Sequence, residues 1–404
     1  MKKILLISLI TSSVFSQTSN IFEPIDLFDL EYVSNTEISP SGDKVLYQRN
    51  YNDIMTDQSF SNIWLINYDG TNNRPITTGN YKDNSPKWSN QGDKFIFQSN
   101  RDSKSQIFLF DLKNNSIQKL TNFQYPIQSI KWSPDDNYIL FSSFIDSKRE
   151  TLIKMPEKPK GAKWNDPPVE ISDLNYRYDS SGYRKPGGVQ FFTIPVSGGT
   201  SRQISNIKPE KRAGQAEWLG NDKIIFSANL NDDSDYNTNN SEIYILSLES
   251  GKYEALTSRN GPDSSPKVSN DNSMIAYLGY DDEYLGYQQN SIYVMKPDGS
   301  SKFKIQLNLD RNISNIYWSA DDKRIYFQFD DKGITKIGST TLEGKFQTEV
   351  DQIGGLSFSR PYSGGFFSLS KNNRYSFTYG TSYNPADLAV GYKGSKKRLT
   401  NLNK

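Results

Sequence analysis

Four acidic groups are the first places to look for chemistry: Asp135-Asp136, Asp281-Asp282-Glu283, Asp321-Asp322 and Asp330-Asp331. Paired carboxylates can divide the roles of acid and base, as in glycoside hydrolysis. Most of these pairs lie at or near Ser- and Asn-containing stretches, where Asp accepts backbone hydrogen bonds, so we read them as turn residues. The run from Asn231 to Asn237 sets oxygen ligands at alternate positions. A calcium loop of the EF-hand type beginning at Asp233 needs Gly and Glu where this chain has Thr238 and Tyr244, so we read a polar loop. Nucleophilic catalysis fares no better. The 404 residues contain no His and no Cys, which removes the imidazole base of a Ser-His-Asp triad, the thiolate nucleophile, and His- or Cys-ligated zinc. A strained nucleophile elbow needs Gly-x-Ser-x-Gly. The nearest strings, Gly380-Thr381-Ser382-Tyr383-Asn384 and Gly199-Thr200-Ser201-Arg202-Gln203, lack the second Gly. No cofactor or metal site is expected.

One cluster remains. Tyr176, Arg177, Tyr178 and Asp179, with Tyr183 nearby, combine aromatic faces with a guanidinium. That mixture suits docking a peptide backbone or carboxylate, and equally suits packing against another domain.

The elements that would hold such residues follow from composition and period. There are 47 Lys+Arg against 46 Asp+Glu, a net charge of +1, which offers no basic footprint for nucleic acid. The length fits two or three domains or one large repetitive one. With 25 Tyr, 22 Phe, 27 Gly and 18 Pro, the chain leans towards short strands and tight turns. Lys2 and Lys3 precede the apolar run Ile4–Ile10, and Val14 and Ser16 suit the −3 and −1 positions of a cleavage site before Gln17. This predicts a secretory signal over 1–16, cut between Ser16 and Gln17, and a periplasmic or secreted mature chain. No later run is long enough to span a membrane.

A Ser-led turn followed by an alternating apolar run recurs along the chain. Its anchors are Ser39, Ser89, Ser133, Leu219, Ser269, Ser319 and Ser370. The step is about 50 residues, except for a long gap between Ser133 and Leu219 that reads as an insertion at about 155–187. Each unit adds an Ile-aromatic strand (Ile63-Trp64, Ile107-Phe108, Ile243-Tyr244, Ile292-Tyr293), a Gly or Asn turn, and a short Thr-containing run. Roughly seven such units of about four strands predict an all-β, seven-bladed β-propeller with four-stranded antiparallel blades over 39–404, after a lead-in over 17–38.

The turn unit resembles the propeller repeat of periplasmic TolB-type proteins and of the prolyl oligopeptidase family of serine peptidases. Phe22-Glu23-Pro24-Ile25-Asp26-Leu27-Phe28-Asp29-Leu30 is similar to the segment before the first blade in those peptidases. Pro168 to Tyr183 looks like the Tyr-Arg-x-Asp-Gly-x-Gly-Tyr segment of the acylaminoacyl-peptidase and dipeptidyl-peptidase-5 branch, with Ser180 in place of the usual Gly. The resemblance spans about Phe22 to Asn403. It implies a domain that gates access of short peptides to a catalytic α/β-hydrolase domain, supplied in cis beyond Lys404 or by a split gene. By that resemblance, Tyr176, Arg177, Tyr178, Asp179 and Tyr183 would gate substrate or contact the hydrolase. The chain alone should not act as a serine peptidase. The alternative is a stand-alone TolB-like propeller that binds a protein or an envelope ligand. The tail Leu402-Asn403-Lys404 reads as a hinge rather than as a cap on the last blade.

Overall fold

The computed structural model describes residues 22–148, 156–165, 168–171, 173–179, 181–209, 211–355, 357–358 and 364–404. The expected signal and its cleavage site at Ser16 and Gln17 lie outside these residues. A short 3-10 helix (Pro24–Phe28) leads into seven consecutive four-stranded antiparallel sheets, the blades of a propeller. No described helix is long and apolar enough to cross a membrane.

Each blade is built from one contiguous stretch. Blade 1 consists of Glu31–Ile38, Lys44–Asp53, Gln58–Asn67 and Arg74–Pro75, so the expected lead-in over 17–38 ends as a first strand. Blade 2 begins at Asn84–Trp88, blade 4 at Arg212–Leu219, blade 5 at Asp263–Val268 and blade 6 at Ile313–Trp318. Blade 7 runs from Phe367–Leu369 to Ser395–Arg398. Blade 3 pairs Ile127–Trp132, Tyr138–Asp146, Gly187–Pro195 and Arg202–Gln203, and the pairing of Asp146 with Gly187 places the insertion between its second and third strands.

The recurring turn explains its own composition. In six blades the residue three places after the anchor Ser has positive φ: Gly42, Gly92, Asp136, Asn272, Asp322 and Asn373. Gly, Asn and Asp tolerate that left-handed conformation best. The Ser hydroxyl accepts the backbone N–H that starts the next strand, as from Lys44, Tyr138 and Arg324. The polar residue at the turn then reaches the preceding blade. Asp136 Oδ1 accepts from Asn90 N at 2.8 Å, and Asp322 Oδ1 accepts from Asn270 N at 2.9 Å. These carboxylates are structural clamps, consistent with their reading as turn residues.

The Trp before the anchor makes a second hook. Trp88, Trp132 and Trp318 donate Nε1–H to the carbonyls of Glu37, Lys87 and Lys267 in the preceding blade, each at 2.9 Å. The short Thr run makes a third. Thr77, Thr121, Thr257 and Thr400 accept the N–H of Ile63, Ile107, Ile243 and Leu388 on the third strand of the same blade.

Between neighbouring blades the alternating apolar residues form layers. Leu46, Ile63 and Leu65 of blade 1 meet Trp88, Phe95, Phe97 and Phe108 of blade 2. Burying one such side chain fully is worth about 1.5–3 kcal/mol. The last junction, blade 7 to blade 1, joins Leu388 and Val390 to Val33, Val45 and Tyr47, with Leu399 and Leu402 packed alongside. Among the described residues no strand is exchanged across it. Backbone bonds cross instead, Val33 N to Ala386 O at 2.8 Å and Lys371 N to Pro40 O at 3.0 Å. In the tail, Leu402 and Asn403 pack back onto blade 1.

Candidate functional site: the axis cavity and the aromatic face

Strand direction alternates within a blade, so the Ser-led turns lie on one face. The second-to-third-strand loops, the connections between blades and the insertion lie on the other. Most of the exposed apolar side chains are on this second face. They include Met55, Tyr236, Tyr284, Tyr287 and Tyr383 on second-to-third-strand loops, and Trp164, Val169 and Leu174 in the insertion. Tyr383 is 91% exposed and Met55 86%.

The sequence-predicted cluster sits on this face as a small hairpin. Arg177 pairs with Tyr183 and Tyr178 with Gly182, and Arg184 N donates to Tyr176 O at 2.8 Å. The Tyr176 and Tyr183 rings lie 6.3 Å apart, and the Arg184 guanidinium is 6.0 Å from the centre of the Tyr178 ring. Arg177 and Asp179 are exposed, as are the three tyrosines. Arg184 also donates to Asn175 O at 2.7 Å, which fixes the base of the hairpin. The structure therefore brings all five residues together.

A groove of about 500 Å³ runs from Asn175, Tyr178 and Arg184 towards Gly214 and Ser227 of blade 4. Its far wall is the polar loop around Asn231, held by the buried Lys211, whose Nζ donates to Asn231 O and to Ser234 Oγ. Gly214 and Ser227 also line a cavity of about 460 Å³ on the axis of the ring, so the groove and the cavity meet at that wall. A Cβ at Gly214 would fall 2.6 Å from Ser227 Oγ, so only Gly leaves that wall undisturbed.

The axis cavity is lined by the first strands, and five of these carry an irregularity in register at equivalent positions. A bulge re-aims the side chains that follow it. The residues two places before the anchors, Glu37, Lys87, Lys131, Glu217, Lys267 and Tyr317, form a polar belt, and all but Glu217 line the cavity. Lys87 Nζ pairs with Glu37 Oε2 at 2.6 Å. Glu217 Oε2 accepts from both Lys131 and Lys267, the latter at 3.2 Å. Burial resists ionisation of Glu217, but the two ammonium groups win and hold its carboxyl down to about 2. Burial, with Lys267 and Lys87 adding like charge, pushes Lys131 down to about 8 despite Glu217. Lys267 is raised, because Glu217 outweighs the burial that opposes its charge.

Sequence reasoning missed this belt, although its signal was present as charged residues in phase with the repeat. Asp281, Asp330 and Asp331, the other acidic candidates, engage in local contacts. Asp331 takes Arg311 and Lys336 at 2.9 Å each, Asp330 accepts from Thr335, and Asp281 lies 3.6 Å from Arg259.

No family model matches the chain. Dipeptidyl-peptidase 5 of Porphyromonas gingivalis is 25% identical over 352 residues, which cover 82% of this chain and 50% of that protein. The acylaminoacyl peptidase of Pyrococcus horikoshii superposes with a TM-score of 0.70 at 18% identity, covering 93% of this chain and 54% of that one. The β-propeller domain of the Trilobed protease from Pyrococcus furiosus, whose structure is described as revealing an open velcro topology, superposes with a TM-score of 0.60 at 16% identity over 93% of this chain and 99% of that one. The chain thus spans about half the length of the first two relatives.

Proposed function

We propose that this chain is the substrate-gating propeller of an exported serine peptidase that cleaves short peptides, akin to acylaminoacyl and dipeptidyl peptidases. The observation that carries the reading is the relationship to a dipeptidyl-peptidase 5 across 82% of the chain. Export rests on the signal-like residues 1–16. The chemistry must come from elsewhere, because a sequence without His cannot complete a Ser-His-Asp triad. The partner in this reading is an α/β-hydrolase domain, in cis or from a split gene.

The aromatic face is where that partner would sit. Clustered exposed apolar side chains with a polar rim are the usual mark of a docking surface. Tyr176, Tyr178 and Tyr183 offer rigid amphipathic area, and Arg177 and Asp179 offer charge for partner or substrate ends. Gating follows from size. The axis cavity holds only about 460 Å³, too little for a folded substrate to thread the ring. Only short or unfolded peptides would reach a chamber enclosed between propeller and hydrolase.

The test uses chromogenic dipeptidyl and acylaminoacyl substrates. The 404-residue chain should hydrolyse none and should not be labelled by fluorophosphonate. Joined to its hydrolase, the assembly should cleave short peptides and spare folded proteins. Labelling of a Ser in the 404-residue chain would refute the reading.

A further inference from the structure

Three ammonium groups face the axis cavity, and two carboxylates answer them. Glu37 takes Lys87, whereas Lys131 and Lys267 share a single oxygen of Glu217. Among the described residues of this belt, one positive charge is left without a counter-charge. The three lysine side chains are 21–31% exposed, so they are only partly hydrated. Excess charge in a confined space of reduced dielectric attracts an anion more strongly than the same charge on an open surface.

A second observation concerns hydrogen bonding. Gln98 lines the same cavity, is 6% exposed, and its Nε2 has no hydrogen-bond partner among the described residues. Its counterparts on the second strands of blades 1 and 6 are satisfied. Gln48 donates to Asn50 and accepts from Asn35, and Gln328 donates to Gly365 O and accepts from Asn315. A buried donor left unpaired is unfavourable, and an oxygen acceptor would relieve it. The rest of the wall is polar too, with Ser129, Gln215 and Ser265 among its residues.

We propose that the axis cavity is a binding site for a small oxyanion, a carboxylate or phosphate group, held by Lys87, Lys131 and Lys267 with Gln98 as a neutral donor. The anion completes the charge balance that two glutamates leave open, and its oxygens are the acceptors that the amide lacks. The 460 Å³ volume admits a phosphate ion or the end of a short peptide, and excludes a folded chain. The site stands independently of the peptidase reading, since it uses only residues of the propeller.

Calorimetric titration of the full chain at constant ionic strength in chloride tests it. The probes are inorganic phosphate, N-acetylglycylglycine, and the C-terminal amide of that peptide as its uncharged counterpart. Saturable one-site binding of phosphate or of the free carboxylate is expected, with the amide silent, and the anion that binds identifies the source. Lys131→Met and Gln98→Leu should each weaken binding by at least about tenfold, whereas Lys160→Met, on an exposed loop, should not change it. Gln98→Leu keeps the test decisive if Lys131→Met does not fold. Absence of binding by both anions, or binding unmoved in the folded variants, overturns the proposal.

Discussion

The side-chain amide of Asn403 is bonded to both backbone groups of Glu31: Oδ1 accepts from Glu31 N at 2.8 Å, and Nδ2 donates to Glu31 O at 2.7 Å. Residues 372 positions apart are thereby joined as two partners in a sheet would be. Asn403 supplies at the ring's closing junction what an exchanged strand would otherwise provide. Asn403→Ala should cost about 1–2 kcal/mol, because both Glu31 groups lose their partner. Hydrogen exchange should rise first along Glu31–Val33 rather than uniformly.

The tryptophan hooks permit an internal comparison. Trp132 Nε1 donates to Lys87 O, while Trp218 Nε1, in the matching position of blade 4, has no partner among the described residues. Trp132→Phe should therefore destabilise the chain by about 1 kcal/mol more than Trp218→Phe, as read by urea unfolding. Equal losses would mean that ring volume alone matters.

Glu242 gives the fold a pH dependence. It is 5% exposed, accepts from Thr257 Oγ1, and lies close to Asp263, which Arg259 pairs. Burial, reinforced by the Asp263 charge, pushes Glu242 up from 4.5 to about 7. A folded-state pKa above the unfolded one means stability that is fully present below about 4.5 and lost as the pH rises through about 7. Glu242→Gln should abolish that loss. Between pH 4.5 and 8 it should gain on the parent by at most about 3 kcal/mol, and thermal unfolding at several pH values reads the difference.

Glu217 acts in the opposite sense. Its carboxyl is depressed to about 2, so its contribution is present above 4.5 and is lost as the pH falls towards 2. Glu217→Gln should destabilise the chain at pH 7 by about 3 kcal/mol, because it leaves the partly buried Lys131 and Lys267 without their shared partner. The penalty should shrink towards pH 2.

The hairpin tyrosines should be dispensable for folding. Tyr176, Tyr178 and Tyr183 are 40–57% exposed, so replacing all three by Ser should leave stability within about 0.5 kcal/mol. Docking to a hydrolase partner, measured by calorimetry, should weaken at least about tenfold.

Much of this architecture was legible because the repeat is physical. Ser, then Gly, Asn or Asp three places later, is what a tight left-handed turn requires, and the same spacing marks where the second strand of each blade begins; the first strand, ahead of the anchor, was placed in the lead-in of blade 1. The residues around Tyr176 stood out for a different reason, because aromatic and charged side chains stand together in an insertion that the period cannot absorb; the hairpin they form carried no signal of its own. The belt of Glu37, Lys87, Lys131, Glu217, Lys267 and Tyr317 was not. Each member sits singly on an otherwise ordinary strand, and only ring closure brings residues some 50 apart into one cavity. The bond from Asn403 to Glu31 was hidden for the same cause, since it has no local signature.

The most direct test of the central claim is to sequence the source DNA beyond codon 404. The account predicts an open frame on the order of 250 further codons, in cis or in an adjacent gene, carrying Gly-x-Ser-x-Gly, then Asp, then His. A stop at codon 405 with no such frame nearby would contradict the peptidase reading and leave a binding propeller.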